Sequence, residues 1–162
     1  MKVLGVAGFS GSGKTTLIEK LLPRLRTAGL RVCVIKQSHH DFAVDVPGKD
    51  SWRFRAAGAD TVLLTSPYRW MLVQELHGGE EPDLDGHLRR LPPCDLVLVE
   101  GYKHADIAKL EVWRAANAQP WLHPCETGFI AVAADRAPPG KIRHFPIDDL
   151  DTLTTFVLEY AR

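Results

Sequence analysis

The sequence predicts an α/β fold: a mostly parallel sheet flanked by helices, with a β-hairpin insertion. Three observations carry this expectation. Short, fully apolar runs alternate with amphipathic helical stretches, which is the pattern of βαβ units. The first apolar run leads directly into a glycine-rich turn and then a helix. Two further apolar runs flank the turn Ser66-Pro67-Tyr68-Arg69, as in a hairpin.

Residues 3–9 read as a buried strand, apolar and without helical period. A glycine-rich turn occupies residues 8–13. Residues 15–27 read as a helix, with Leu17, Ile18, Leu21, Leu22 and Leu25 at three- and four-residue spacing. Pro23 is expected to kink it locally, and Gly29 stands where a C-terminal cap belongs. Residues 31–36 form the next strand, which completes a parallel, right-handed βαβ unit. Residues 39–49 lack a period and contain Pro47-Gly48, so they read as a loop. Asp50-Ser51 is placed to cap a helix running to Ala57 and closed by Gly58.

The hairpin pairs Val62-Leu63-Leu64 with residues 70–73. Residues 77–85 are polar and glycine-rich, hence loop, and 85–91 form a short helix ended by Pro92-Pro93. Residues 96–99 are a second fully apolar strand, followed by Glu100-Gly101. Residues 110–113 and 129–134 read as strands, Pro138-Pro139-Gly140 as a loop, and 148–162 as a C-terminal helix with Leu150, Leu153, Phe156, Val157 and Tyr160 on one face. There are no repeats and no low-complexity linker, so a single domain over residues 1–162 is expected.

Twenty Lys plus Arg against twenty Asp plus Glu give a formal net charge of zero. That argues against a nucleic-acid coat or a polybasic membrane binder. No apolar run approaches the roughly 18 residues that span a bilayer, and the N-terminal apolar stretch lacks a signal-peptide cleavage pattern. Cys33, Cys94 and Cys125 are odd in number and far apart, which fits a reduced, cytoplasmic protein.

Gly8-Phe9-Ser10-Gly11-Ser12-Gly13-Lys14-Thr15 matches G-x-x-x-x-G-K-[ST] at every fixed position, between an apolar strand and a helix. The fold class is therefore of P-loop NTPase type. Backbone N–H groups of Ser10, Gly11, Ser12, Gly13, Lys14, Thr15 and Thr16 would turn around phosphate oxygens, aided by the helix N-terminus. Lys14 would reach the β- and γ-phosphates, and the Thr15 hydroxyl would bind Mg²⁺.

The Mg²⁺ site needs a carboxylate at the end of a neighbouring apolar strand, and Glu100 supplies it. Glutamate is longer than the usual aspartate, so contact through a water is expected. Gly101 could bring its N–H to the γ-phosphate. Lys14 and Glu100 are thus the catalytic candidates. Asp135 ends the strand at 129–134. One carboxylate can accept both N1–H and N2–H of guanine, which makes Asp135 a candidate guanine reader; a loop-capping aspartate is the alternative.

Lys36, His39, His40, Lys49 and Arg53 gather cationic and imidazole groups after the second strand, with Arg55 nearby. They suit an anionic second ligand or the transferring phosphate; a solvated loop is the bland alternative. Adjacent histidines are poorly placed to share a zinc ion, and no cysteine stands at ligand spacing. His77, His87, His104, His123 and His144 are scattered.

With these residues assembled, the chain resembles the molybdopterin-guanine dinucleotide biosynthesis protein B family, MobB, over nearly its whole length. The carriers are residues 8–16, Val34-Ile35-Lys36, His39-His40-Asp41-Phe42, Asp45, Pro47-Gly48-Lys49-Asp50-Ser51, Ala57-Gly58-Ala59 and Val99-Glu100-Gly101-Tyr102-Lys103. The resemblance implies a GTP-binding, dimeric protein with weak Mg²⁺-dependent GTPase activity. It implies a partner, the guanylyltransferase MobA, and molybdopterin or molybdenum cofactor as the pterin ligand. Dimerisation would cover the hairpin at 61–74. Two departures stand out: Gln37 where the family usually has a further His, and Ala43 where it often has Asp. Phe9 follows Gly8, so no signature lysine occupies that place.

Two other readings remain open: a nucleotide-switched adapter or carrier of molybdopterin, and a small-molecule kinase. A kinase lid needs arginines, and Arg89 and Arg90 are the only ones between 76 and 90. Asp41, Asp45 and Glu100 are the candidates for orienting the attacking water.

Overall fold

The computed structural model describes residues 1–38 and 40–162. His39, one of the second-site residues expected above, lies outside the described residues. The rest forms two compact units: Met1–Gln37 with Leu84–Arg162, and Ser38–Asp83.

The first unit is a six-stranded sheet. Its strands are β1 (Lys2–Ala7), β2 (Val32–Lys36), β5 (Leu96–Glu100), β6 (Lys109–Trp113), β7 (Phe129–Ala134) and β8 (Arg143–Pro146). The order is β2-β5-β1-β6-β7-β8, and every neighbouring pair is parallel. The apolar runs of β1 and β5 are buried because helices and loops cover both faces of a parallel sheet. On one face, α1 (Lys14–Thr27) sets Leu17, Ile18, Leu21 and Leu25 against Leu4, Val6, Leu96 and Leu98. The C-terminal helix α4 (Leu150–Ala161) adds Leu153, Phe156 and Val157. On the other face, Val97 and Val99 pack with Leu84 and Cys94, Leu84 coming from the short α3 (Leu84–Leu88).

The expected element order holds, with differences of physical origin. The first strand stops at Ala7 and not Phe9, because Gly8 already turns the chain into the phosphate loop. The helix α1 runs through Pro23, with Leu21 and Leu25 on either side of it fully buried. The strand β8 was not expected: it is an edge strand in which Phe145 alone is buried, so it leaves no apolar run to read. The loop between β6 and β7 is tied by buried Glu111, which accepts from Leu122 N–H (2.7 Å), His123 N–H (3.1 Å) and His123 Nδ1 (2.8 Å). Trp113 stacks on Trp121 above the same loop, with ring centroids 4.0 Å apart.

The second unit holds α2 (Asp50–Ala56) and the antiparallel hairpin of β3 (Thr61–Thr65) and β4 (Trp70–Gln74). Lys49, and not Asp50 or Ser51, precedes α2; Asp50 lies in the first turn, where its charge faces the helix N-terminus. Arg55 is the polar centre of this unit, paired with Asp45 (2.6 Å) and Glu75. Leu63, Leu64, Trp70 and Leu72 of the hairpin are exposed.

Candidate functional site

The site begins where β1 delivers the chain to α1. Gly13 precedes the helix with φ 93°, a left-handed conformation that a side chain would strain. It leaves the first-turn N–H groups of α1 without helical partners, open to an anion. Ser12 is 2% exposed, and its hydroxyl has no partner among the described residues. Lys14 Nζ donates to the Phe9 carbonyl (2.9 Å), so the ammonium arches back over the loop. Burial holds the Lys14 pKa below the usual lysine range, and the positive charge of Lys36 pushes the same way against the pull of Glu100.

Glu100 reaches this loop from β5, the strand beside β1. Thr15 Oγ1 donates to Glu100 Oε1 at 2.8 Å, and Lys36 Nζ stands 3.5 Å from the same oxygen. The Glu100 side chain is 10% exposed, so both partners offset the cost of burying a carboxylate. A hydroxyl and a carboxylate side by side at a phosphate loop are hard oxygen donors that fit Mg²⁺, which takes one or two protein ligands and completes its shell with phosphates and water. Among the described residues, no group of three or more His, Cys, Asp or Glu offers an all-protein metal cage.

Beyond Glu100 the backbone turns sharply: Gly101 has φ 101° and Tyr102 φ 47°. Gln37 braces this turn. Its N–H donates to the Glu100 carbonyl (2.9 Å), and its Oε1 accepts from Tyr102 N–H (3.1 Å).

Comparison with known proteins agrees with this architecture. The family described as molybdopterin guanine dinucleotide synthesis protein B matches residues 3–135. The chain belongs to this family. It is 41% identical over 163 residues to the molybdopterin-guanine dinucleotide biosynthesis adapter protein of Escherichia coli strain K12, covering 99% of this chain and 93% of that one. A protein of the same description from Haemophilus influenzae is 44% identical over 133 residues, covering 82% of this chain and 74% of that one. A solved crystal structure of molybdopterin-guanine biosynthesis protein B superposes with a TM-score of 0.79 at 31% identity, covering 99% of both chains. No helix among the described residues is long and apolar enough to cross a membrane.

The MobB fold brings together residues that the sequence left apart. Asp135 Oδ1 accepts from Ala115 N–H (2.9 Å), capping a 3₁₀ turn at Ala115–Asn117. That turn leans on the phosphate loop: Asn117 Nδ2 donates to the Ser10 carbonyl (3.1 Å), and a methyl group on Gly13 would lie 3.3 Å from Arg114 Nε. Gln37, Arg114 and Asn117 had no motif to announce them. An asparagine shortly after an apolar strand was the one available cue.

In the second unit, His40 is exposed, and its N–H meets Ser38 Oγ at 3.2 Å. Lys49 is exposed, and Arg53 pairs loosely with Asp50 (3.8 Å). An open groove of about 450 Å³ along α2 is lined by Trp52, Arg53 and Phe54. Of the carboxylates considered for orienting water, Asp45 is held by Arg55, and Asp41 accepts from Phe42 N–H (2.8 Å). Lys36 belongs to the first unit, where its ammonium stands 3.5 Å from Glu100 Oε1.

Proposed function

We propose that this chain is a Mg²⁺-dependent GTP-binding protein with slow GTPase activity, acting as an adapter in molybdopterin guanine dinucleotide biosynthesis. The observation that carries the nucleotide reading is the 2.8 Å hydrogen bond from Thr15 to Glu100 at the mouth of the phosphate loop. The pathway reading rests on family membership and on the adapter description of the Escherichia coli relative.

The backbone N–H groups of residues 10–16 and the Lys14 ammonium hold the phosphates and offset charge as the terminal phosphoryl group departs. Thr15 and Glu100 hold Mg²⁺, directly or through water. Bound there, the ion would supply charge neutralisation for the departing phosphoryl group. The Gly101 N–H faces the terminal phosphate. Asp135 keeps Oδ2, and a second lone pair on Oδ1, for the N1–H and N2–H of guanine. The kinase alternative requires an arginine-rich lid; of its two arginines, Arg89 and Arg90, Arg90 donates to the Gly86 carbonyl (2.8 Å).

The second unit receives the anionic group of molybdopterin at His40, Lys49 and Arg53, with Trp52 and Phe54 beside it for the pterin plane. Its exposed hairpin residues Leu63, Leu64, Trp70 and Leu72 pair with a second copy of the chain. The protein works in the cytoplasm, with all three cysteines as thiols, and delivers to the guanylyltransferase MobA.

Phosphate release from GTP, measured beside guanylylation by MobA, tests this reading. A slow, Mg²⁺-dependent release, with guanylylation stimulated by the chain, is the expected result. Stimulation that survives when GTP hydrolysis is blocked makes turnover incidental and leaves the adapter role. Absence of both GTP binding and stimulation contradicts the proposal.

A further inference from the structure

Lys36 stands beside the Glu100 oxygen that the reading above assigns to Mg²⁺. It is the last residue of β2, and its register partner in the parallel pairing is Glu100 itself. The Gln37 N–H bond to the Glu100 carbonyl fixes the two strand ends side by side (2.9 Å). Sheet geometry therefore aims the lysine stem at this carboxylate. Its head group lies 3.5 Å from Glu100 Oε1, the same oxygen that accepts the Thr15 hydroxyl.

The two ends of that ion pair are unequal. The Glu100 side chain is 10% exposed, whereas that of Lys36 is 58% exposed. Glu100 cannot leave, while Lys36 can swing on a flexible four-carbon stem. The Lys36 charge also reaches the Lys14 ammonium. Two cations thus converge on one carboxylate, leaving an excess of positive charge beside the phosphate loop.

We propose that Lys36 is a catalytic cation of this chain: its pairing with Glu100 and the seating of Mg²⁺ between Thr15 and Glu100 exclude each other, and the exchange hands the Lys36 ammonium to the terminal phosphate. This deepens the Mg²⁺-nucleotide reading given above and rests on it. With Oε1 engaged by a divalent ion, Lys36 would lose its counter-ion and be repelled. The ammonium is then released to pair with the nucleotide's terminal phosphate at the neighbouring loop. In hydrolysis, water adds to the γ-phosphorus and gives up a proton to the surrounding water, and the bond to the bridging oxygen breaks. That oxygen leaves on the β-phosphate with the electron pair. Lys36 forms no covalent bond and neutralises a non-bridging oxygen throughout, a task otherwise given to an arginine supplied in cis or in trans.

The test uses the full chain, as wild type, Lys36→Met and Lys36→Arg. Mg²⁺ is titrated into each with GDP, reading nucleotide affinity, and phosphate release from GTP is then measured. Removing the competing ammonium is expected to lower the Mg²⁺ midpoint about two- to fivefold in K36M, the range set by a partly exposed ion pair. Hydrolysis should fall about 100-fold, as when one preorganised donor to a developing charge is lost. K36R should recover part of the rate, and GDP with aluminium fluoride should bind wild type and K36R but not K36M. If K36M shows the wild-type midpoint and rate, this assignment is overturned and the nucleotide reading stands. If GDP binding by wild type is indifferent to Mg²⁺, both are overturned.

Discussion

Thr15 and Glu100 are 85 residues apart in sequence, yet the hydroxyl of one donates to the carboxylate of the other at 2.8 Å. This contact joins the phosphate loop to the neighbouring strand β5. It depends on β5 lying directly beside β1, with Val6 and Glu100 as register partners. The burial of Glu100 makes the contact more than incidental, because burying a carboxylate is costly without partners.

Removing either member should break the metal dependence. In Thr15→Ala and Glu100→Gln, the Mg²⁺ stimulation of GTP binding should largely disappear, with GTP turnover lowered about 100-fold or more. Isothermal titration with and without Mg²⁺ checks the first, and phosphate release checks the second. Metal stimulation that survives in both variants places the ion elsewhere.

The depressed pKa of Lys14 should give the proposed nucleotide binding a pH dependence. At low pH the ammonium is charged and affinity for GDP is flat with respect to this group. As pH rises through the lowered Lys14 value, the charge is lost and affinity falls, starting below the range of an ordinary lysine. Lys14→Arg, weaker at every pH, should lack this fall because arginine stays charged. A fluorescence titration series across alkaline pH measures both profiles.

The loop that presents Arg114 and Asn117 depends on a buried carboxylate. Glu111→Ala strips Leu122 and His123 of their shared acceptor. Leaving these donors without an acceptor is expected to cost about 1–3 kcal/mol, read as a lower urea midpoint. Tyr160→Phe is a milder comparison. It removes one hydrogen bond to the Val3 carbonyl (2.6 Å) and should cost about 1 kcal/mol.

Much of this architecture was readable from the chain. The strands β1, β5 and β7 announce themselves as apolar runs because they are buried on both faces, and the phosphate loop does so because few residue types permit its turns. The edge strand β8 was not readable, since Phe145 alone faces the core. Within the site, Lys14, Thr15 and Glu100 followed from motif and strand position. Gln37 and Asn117 did not, because their roles are hydrogen bonds to Tyr102 and Ser10 that only the sheet order creates. Lys36 was read with the histidine loop because it is close to it in sequence. The parallel register with β5 also gives it Glu100.

The most direct test of the account is equilibrium binding of GTP, GDP and ATP with Mg²⁺, on wild type and Asp135→Asn. The asparagine retains an acceptor for Ala115 N–H, so the turn beside the phosphate loop stays capped, but it cannot accept both guanine donors on a charged group. The account predicts that wild type prefers GTP over ATP by about 10-fold or more, the scale of hydrogen bonds to a charged partner, and that D135N loses the preference while keeping phosphate affinity. ATP binding as tight as GTP in wild type would contradict the central claim and leave Asp135 as the cap of the Ala115–Asn117 turn alone.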